Sequence, residues 1–128
     1  LTFGKGYDGG NAWLSENAEN VRAYNSDPLC GFVFTTNGFL NLYKLQKGAF
    51  TLNDWTVRNP KLEILLLAGA DDPVIQSGEK FAALEKFLRR AGYESVRSRP
   101  YENARHEILN ETRKDEIYGD ILEFYDGR

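Results

Sequence analysis

The stretch LEILLLAGADDP, residues 62–73, decides the fold of this 128-residue chain. Its first part, Leu62–Ala68, is an apolar run that only Glu63 interrupts. A strand with one face in water alternates apolar and polar residues, whereas an unbroken apolar run is typical of a parallel sheet covered on both faces. We therefore predict a central, buried strand over Leu62–Ala68, with a neighbour on each side. The turn at its carboxyl end carries two carboxylates, Asp71 and Asp72.

A helix and a second strand are predicted to follow. Apolar residues spaced by three and four indicate a helix over Gly78–Ala91, with Ser77 as its cap and Gly92 at its end. The short polar segment Glu94–Arg99 is predicted to be an edge strand that Pro100 ends.

The last predicted element is a helix over Glu111–Tyr125, capped by Asn110. The second half of the chain thus has the order strand, helix, strand, helix, which indicates an α/β domain with parallel strands.

The first half of the chain has a different character. Residues 1–15 are rich in Gly, Asn and Asp and are predicted to be a loop or an extended segment. Two helices are predicted after it, Glu16–Tyr24 capped by Ser15 and Thr36–Gln46 ended by Gly48. The segment between them, Leu29–Phe34, fits either a strand or a lead-in to the second helix.

Composition excludes several classes of protein. The 16 basic and 19 acidic residues are interspersed and give a net charge of −3, so nucleic acid is not an expected partner. A single cysteine allows no internal disulfide and no cysteine-based zinc site. The longest apolar run is too short to span a bilayer, and there is no signal-peptide pattern. We expect a cytoplasmic protein, free or peripheral to a membrane. Since the sequence has no methionine, we also expect it to be a piece of a longer protein.

Polar groups follow both predicted strands. Asp71 and Asp72 come after the first, and His106, the one histidine, comes in the loop after the second. Neighbouring parallel strands lie about 5 Å apart, so an acid and a histidine at their carboxyl ends can meet. Such a carboxylate holds the imidazole tautomer while the other ring nitrogen serves as a general base. The alternatives are that the aspartate only shapes the turn and that the histidine is simply exposed to solvent.

Three segments resemble a known family. LLLAGADDPV (65–74) is similar to the strand and acid turn of α/β-hydrolases. ARHEILNE (104–111) resembles the histidine loop of bacterial lysophospholipases and monoacylglycerol lipases, and DPLCGF (27–32) resembles their cap region. The resemblance implies the C-terminal portion of an α/β-hydrolase fold, a partial parallel sheet with flanking helices at 60–128, preceded by a helical cap segment at 1–59.

The resemblance also implies roles for particular residues. Asp72, three residues after Gly69, would be the acid of a Ser-His-Asp triad, with Asp71 as the fallback, and His106 would be the general base and acid. The chain has no Gly-x-Ser-x-Gly motif, and the chain order in this fold is Ser, acid, His. The nucleophile and the oxyanion hole are therefore expected upstream of Leu1, and the chain alone is expected to be inactive.

The implied reaction is hydrolysis of a monoacylglycerol or lysophospholipid ester through an acyl-enzyme, with no cofactor and no metal. Phe32, Phe34 and Phe39 are candidates for lining an acyl channel, although packing against the body of the enzyme explains them equally well. The expected partners are a lipid ester and either a second copy of the chain or the missing N-terminal portion. The alternatives are a non-catalytic interaction module, a peptidase and a carbon–carbon bond hydrolase on the same fold.

Overall fold

The computed structural model describes residues 10–127, so residues 1–9 of the predicted loop at 1–15 lie outside the described residues. Residues 10–15 form turns and irregular backbone, as predicted, and so do Glu16 and Asn17, which were predicted to belong to the first helix. The elements that follow are the helices α1 (Ala18–Ser26) and α2 (Thr36–Ala49), strand β1 (Ile64–Gly69), helix α3 (Gly78–Ala91), strand β2 (Val96–Tyr101) and helix α4 (Lys114–Asp126). Short 3-10 helices cover Leu52–Asp54 and Ile108–Asn110.

The two strands form the parallel sheet that the sequence predicted. β1 pairs with β2 from Ile64 opposite Val96 to Gly69 opposite Tyr101. The central, buried position predicted for β1 is not seen, because within residues 10–127 its only neighbour is β2. The first four residues of β1 are partly exposed, and only Ala68 and Gly69 are buried.

β2 corrects a prediction about proline. The strand runs through Pro100 to Tyr101 instead of ending before Pro100. Proline has no N–H to donate, but a strand paired along one side tolerates it where the N–H faces away from its neighbour. β2 has that position among the described residues, since it pairs with β1 alone. The predicted strand is thus present, although it begins at Val96 instead of Glu94, and its extra length carries it to the histidine loop.

Helix α3 has the predicted bounds and caps. The Ser77 side chain accepts a hydrogen bond from the Lys80 amide, and Gly92 ends the helix with a left-handed backbone at φ 119°. Phe81 and Leu88 are its buried residues.

The first two helices differ from the prediction at their ends. Asn17, not Ser15, caps α1, because the Ser15 hydroxyl is buried and donates to Glu111. Helix α2 begins as predicted but passes through Gly48 and ends at Ala49. Residues 29–34 form no strand; they are turn and irregular backbone before α2.

Helix α4 begins three residues later than predicted, at Lys114, and Asn110 belongs to the preceding 3-10 helix instead of capping α4. The cause is Glu111, which has an extended backbone and a side chain only 1% exposed. The helix starts once the chain has left that buried position. Ile117 of α4 packs with Tyr101 and Ala104 in the core cluster, which fixes the helix against the end of β2. None of the helices within residues 10–127 is long and apolar enough to cross a membrane.

Candidate active site

The structure brings Asp72 and His106 together at the carboxyl ends of the two parallel strands. His106 Nδ1 lies 3.0 Å from Asp72 Oδ2, a hydrogen-bonding distance. Asp72 is 7% exposed, whereas the His106 side chain is 40% exposed. Asp71, the fallback acid, points to solvent. The contact predicted for Asp72 is therefore present, while the catalytic role of both residues stays a prediction.

The second oxygen of Asp72 has its own partner. Oδ1 accepts a hydrogen bond of 2.8 Å from the Val74 amide, which closes a turn of the kind that aspartate favours. Because the turn uses Oδ1, Oδ2 is the oxygen of Asp72 that contacts the imidazole. In the described part of the chain no group is hydrogen-bonded to His106 Nε2, the nitrogen that would exchange a proton with a substrate or nucleophile.

Main-chain hydrogen bonds join the loops that carry the two side chains. The Ala70 amide donates to the Tyr101 carbonyl at 2.8 Å, and the Asp71 amide donates to the Ala104 carbonyl at 3.0 Å. These bonds extend the parallel pairing of the strands past their ends. The acid turn and the histidine loop are therefore held by backbone geometry, independently of the Asp72–His106 contact.

Gly69 makes this close approach possible. A Cβ atom at position 69 would overlap the backbone carbonyl oxygens of Ala104 and Arg105. The histidine loop thus crosses directly over the end of β1, at a point where only glycine fits. A glycine at the end of β1, three residues before Asp72, thus has a steric reason.

The segment before α1 also reaches the histidine, which the sequence analysis missed. The Trp13 carbonyl accepts a hydrogen bond from the His106 amide at 3.4 Å, and the Leu14 carbonyl accepts one from the Glu107 amide at 2.7 Å. The Trp13 and His106 rings are tilted, with centroids 5.1 Å apart. No sequence signal indicated this contact, because the two residues are separated by more than ninety positions.

Glu111 is the second residue that the sequence analysis did not single out as part of the site. Its buried carboxylate accepts hydrogen bonds from the histidine loop and from the segment before α1. The ARHEILNE segment contains it, but the prediction used Glu111 only as the start of a helix. These contacts cross the predicted boundary between residues 59 and 60, which itself stays a prediction.

Tyr101, at the end of β2, stays a neutral donor beside the site. Burial raises the pKa of the Tyr101 hydroxyl well above its usual range, and its hydrogen bond to the Asp120 carboxylate raises it further. Asp120 also pairs with Arg99. This cluster ties α4 to β2 without contacting His106.

The three phenylalanines predicted to bind substrate lie together before and in α2. The rings of Phe32 and Phe34 have centroids 5.5 Å apart, as do those of Phe34 and Phe39. They are 69%, 44% and 41% exposed, respectively. They form an aromatic surface, the Phe32–Phe34–Phe39 cluster, and no hydrogen bond or ring contact among the described residues joins it to the Asp72–His106 pair.

Across residues 10–127 there is no cluster of three or more His, Cys, Asp or Glu side chains suited to hold a metal ion. The Asp72–His106 arrangement can do acid–base chemistry. A buried carboxylate fixes one imidazole nitrogen and leaves the other directed away from it, where it can take up and return a proton.

A parallel strand–helix–strand unit with an acid after the first strand and a histidine after the second defines the C-terminal part of an α/β-hydrolase fold. The chain belongs to the family described as serine aminopeptidase, S33, whose profile matches residues 7–113.

Two solved structures share the fold. A highly thermostable carboxyl esterase from Bacillus coagulans, in complex with glycerol, is 28% identical, with a TM-score of 0.71 over 92% of this chain and 39% of that one. A monoacylglycerol lipase from Paleococcus ferrophilus is 24% identical, with a TM-score of 0.62 over 88% of this chain and 41% of that one. The chain therefore spans about two-fifths of the length of either enzyme. No curated protein matches the chain by sequence.

Proposed function

We propose that this chain supplies the acid and the base of a serine hydrolase that cleaves carboxylic esters of lipids, of the lysophospholipase or monoacylglycerol lipase type. The observation that carries the proposal is the 3.0 Å contact between Asp72 Oδ2 and His106 Nδ1 at the carboxyl ends of adjacent parallel strands.

In the proposed mechanism His106 transfers the proton and Asp72 stays ionised. His106 Nε2 takes the proton of a serine hydroxyl as that oxygen attacks the ester carbonyl, and then returns it to the leaving alcohol. Asp72 accepts a hydrogen bond from Nδ1–H throughout and stabilises the imidazolium that forms. A water molecule then hydrolyses the acyl-enzyme with the same acid–base assistance. The serine and the oxyanion donors are proposed to come from polypeptide outside these 128 residues, since the chain contains no Gly-x-Ser-x-Gly motif.

Two observations support an ester of a lipid as the substrate. The more similar of the two enzymes above is a carboxyl esterase, which supports an ester. The Phe32–Phe34–Phe39 cluster offers exposed aromatic surface of the kind that an acyl chain contacts.

The single histidine gives a direct test of the pair. In long-range 1H–15N spectra of the imidazole at alkaline pH, all signals belong to His106. A carboxylate beside Nδ1 requires the proton on that nitrogen, so we expect the Nδ1–H tautomer in the wild-type chain.

The variant Asp72→Asn is expected to reverse the tautomer. The Val74 amide keeps the side-chain oxygen of residue 72 on its side, so the new NH2 group faces His106 and Nδ1 must accept. Asp71→Asn is the matched control, because that side chain is exposed and should leave the spectrum unchanged. An Nε2–H tautomer in the wild-type chain would contradict the proposed pair.

The exposed apolar surface favours self-association of the isolated chain. Large apolar side chains before α2, among them Leu29, Val33 and Phe32, are 81%, 86% and 69% exposed. Patches of this kind mark interaction surfaces. We expect a dimer or larger assembly in sedimentation equilibrium at low micromolar concentration. The double variant Phe32→Ser, Val33→Ser should shift the equilibrium toward monomer, and a wild-type monomer at every concentration would count against a role for this surface in association.

A further inference from the structure

Glu111 is a buried carboxylate with no part in the acid–base chemistry proposed above. Its side chain lies between the histidine loop and the segment before α1, and the residue is 1% exposed. Placing a charged group there is costly unless donors surround it. A carboxylate in such a position therefore needs an explanation.

Donors do surround Glu111, and they come from both sides. Oε1 accepts from the Arg105 amide at 2.6 Å. Oε2 accepts from the Ser15 hydroxyl and from the amides of Glu16, at 2.8 Å, and Asn17, at 3.4 Å. Three of the four donors are backbone amides, so the carboxylate fixes the course of the main chain in two separate segments.

Both of these segments contact His106. Arg105 precedes it directly, and the segment that Oε2 holds continues back to Trp13, whose carbonyl and ring contact His106. The Arg105 guanidinium adds hydrogen bonds to the carbonyls of Ala12 and Ser15, which joins the same two segments a second time. Glu111 is thus hydrogen-bonded to both of the segments that contact the imidazole.

We propose that Glu111 is a positioning residue for His106: it joins the histidine loop to the Trp13 segment so that Nδ1 reaches Asp72. The importance of this for catalysis rests on the proposed function. The geometric claim is independent of it, since it concerns only where the imidazole lies.

The variant Glu111→Gln tests the claim with little change in shape. An amide has one oxygen where the carboxylate has two, so its NH2 group must face either the Arg105 amide or the donors from Ser15–Asn17. Residue 111 then loses its hydrogen bonds to one of the two segments. We expect the His106 spectrum to lose its Nδ1–H signature, and the Trp13 contact to weaken as seen in the ring-current shifts of the imidazole protons.

Glu116→Gln is the matched control. Glu116 is also on the C-terminal side of the histidine loop, and its carboxylate pairs with Arg99 and Arg113, whereas the Glu111 carboxylate accepts from the Arg105 amide of that loop. It should leave the imidazole spectrum as in the wild type, whatever its effect on thermal stability. A residue that only stabilised the fold would likewise lower the melting temperature without changing the tautomer.

Ser15→Ala provides a milder variant should Glu111→Gln fail to fold. It removes one donor to Oε2 and leaves the carboxylate in place, so a partial loss of the Nδ1–H signature is expected. A wild-type spectrum in the folded Glu111→Gln chain, or in Ser15→Ala when Glu111→Gln does not fold, would overturn the proposal. Absence of the Nδ1–H tautomer already in the wild-type chain would instead count against the proposed function.

Discussion

Replacing His106 with alanine is expected to lower kcat for an ester substrate by roughly 10⁴- to 10⁶-fold in the enzyme that contains this chain together with its nucleophile. The imidazole moves the proton in both half-reactions, and a serine without its base is a poor nucleophile. KM should change little, because His106 acts on the hydroxyl group and not on the bulk of the substrate. Steady-state assays with a short-chain and a long-chain p-nitrophenyl ester measure both constants.

Glu102→Gln is the matched control for that experiment. Glu102 is exposed and lies four residues before His106, in the same loop. It should retain the wild-type kcat. If His106→Ala kept a kcat within a few-fold of the wild type, the proposed mechanism would be wrong. Activity on aminoacyl anilides but not on esters would favour the peptidase alternative on the same residues.

Replacing Gly69 with alanine is expected to produce the largest structural effect. The added Cβ would overlap two backbone carbonyls of the histidine loop, Ala104 and Arg105, and backbone yields less readily than a side chain. Overpacking of this kind costs roughly 3 kcal/mol, which corresponds to a fall of about 10 °C in the melting temperature for a domain of this size. The loop must also move away from β1, so the Nδ1–H signature of His106 should be lost.

Gly119→Ala separates this effect from the general consequence of replacing a glycine. Gly119 lies inside α4, and a Cβ there meets open space. Alanine should therefore stabilise the helix by about 1 kcal/mol. Chemical denaturation of both variants gives the comparison. Equal stability of Gly69→Ala and the wild type would mean that the histidine loop does not cross β1 as closely as described.

His106→Ala and Gly69→Ala separate the loss of the catalytic group from the loss of the local backbone structure. His106→Ala removes the proton carrier and should leave the fold intact, because the side chain is 40% exposed and its loop is held by backbone bonds. Gly69→Ala leaves the imidazole in place but displaces the backbone that carries it. The expected results are a loss of turnover at unchanged stability in the first case and a loss of both in the second.

The sequence alone was sufficient for the elements whose signals are local. The apolar run at 62–68 predicted β1, and the spacing of apolar residues with Ser77 and Gly92 predicted α3 to its exact ends. Once these two elements were established, the parallel pairing of the strands followed from their order. A contact between His106 and an acid of the turn after β1 followed in turn, since the ends of neighbouring parallel strands meet at one edge. The choice of Asp72 over Asp71 rested on the resemblance to α/β-hydrolases.

Only the tertiary structure decided the features that depend on distant residues. Ser15 looked like a helix cap and Glu111 like the start of a helix, but each is buried against the other across ninety-six positions, so Asn17 caps α1 and α4 begins at Lys114. The need for glycine at position 69 arises from a loop that passes over it thirty-five residues later. Local propensities describe what a segment does beside its own neighbours. The burial of a carboxylate and the crossing of two backbone segments depend on which segments the fold brings together. No pattern within either segment predicts that they meet.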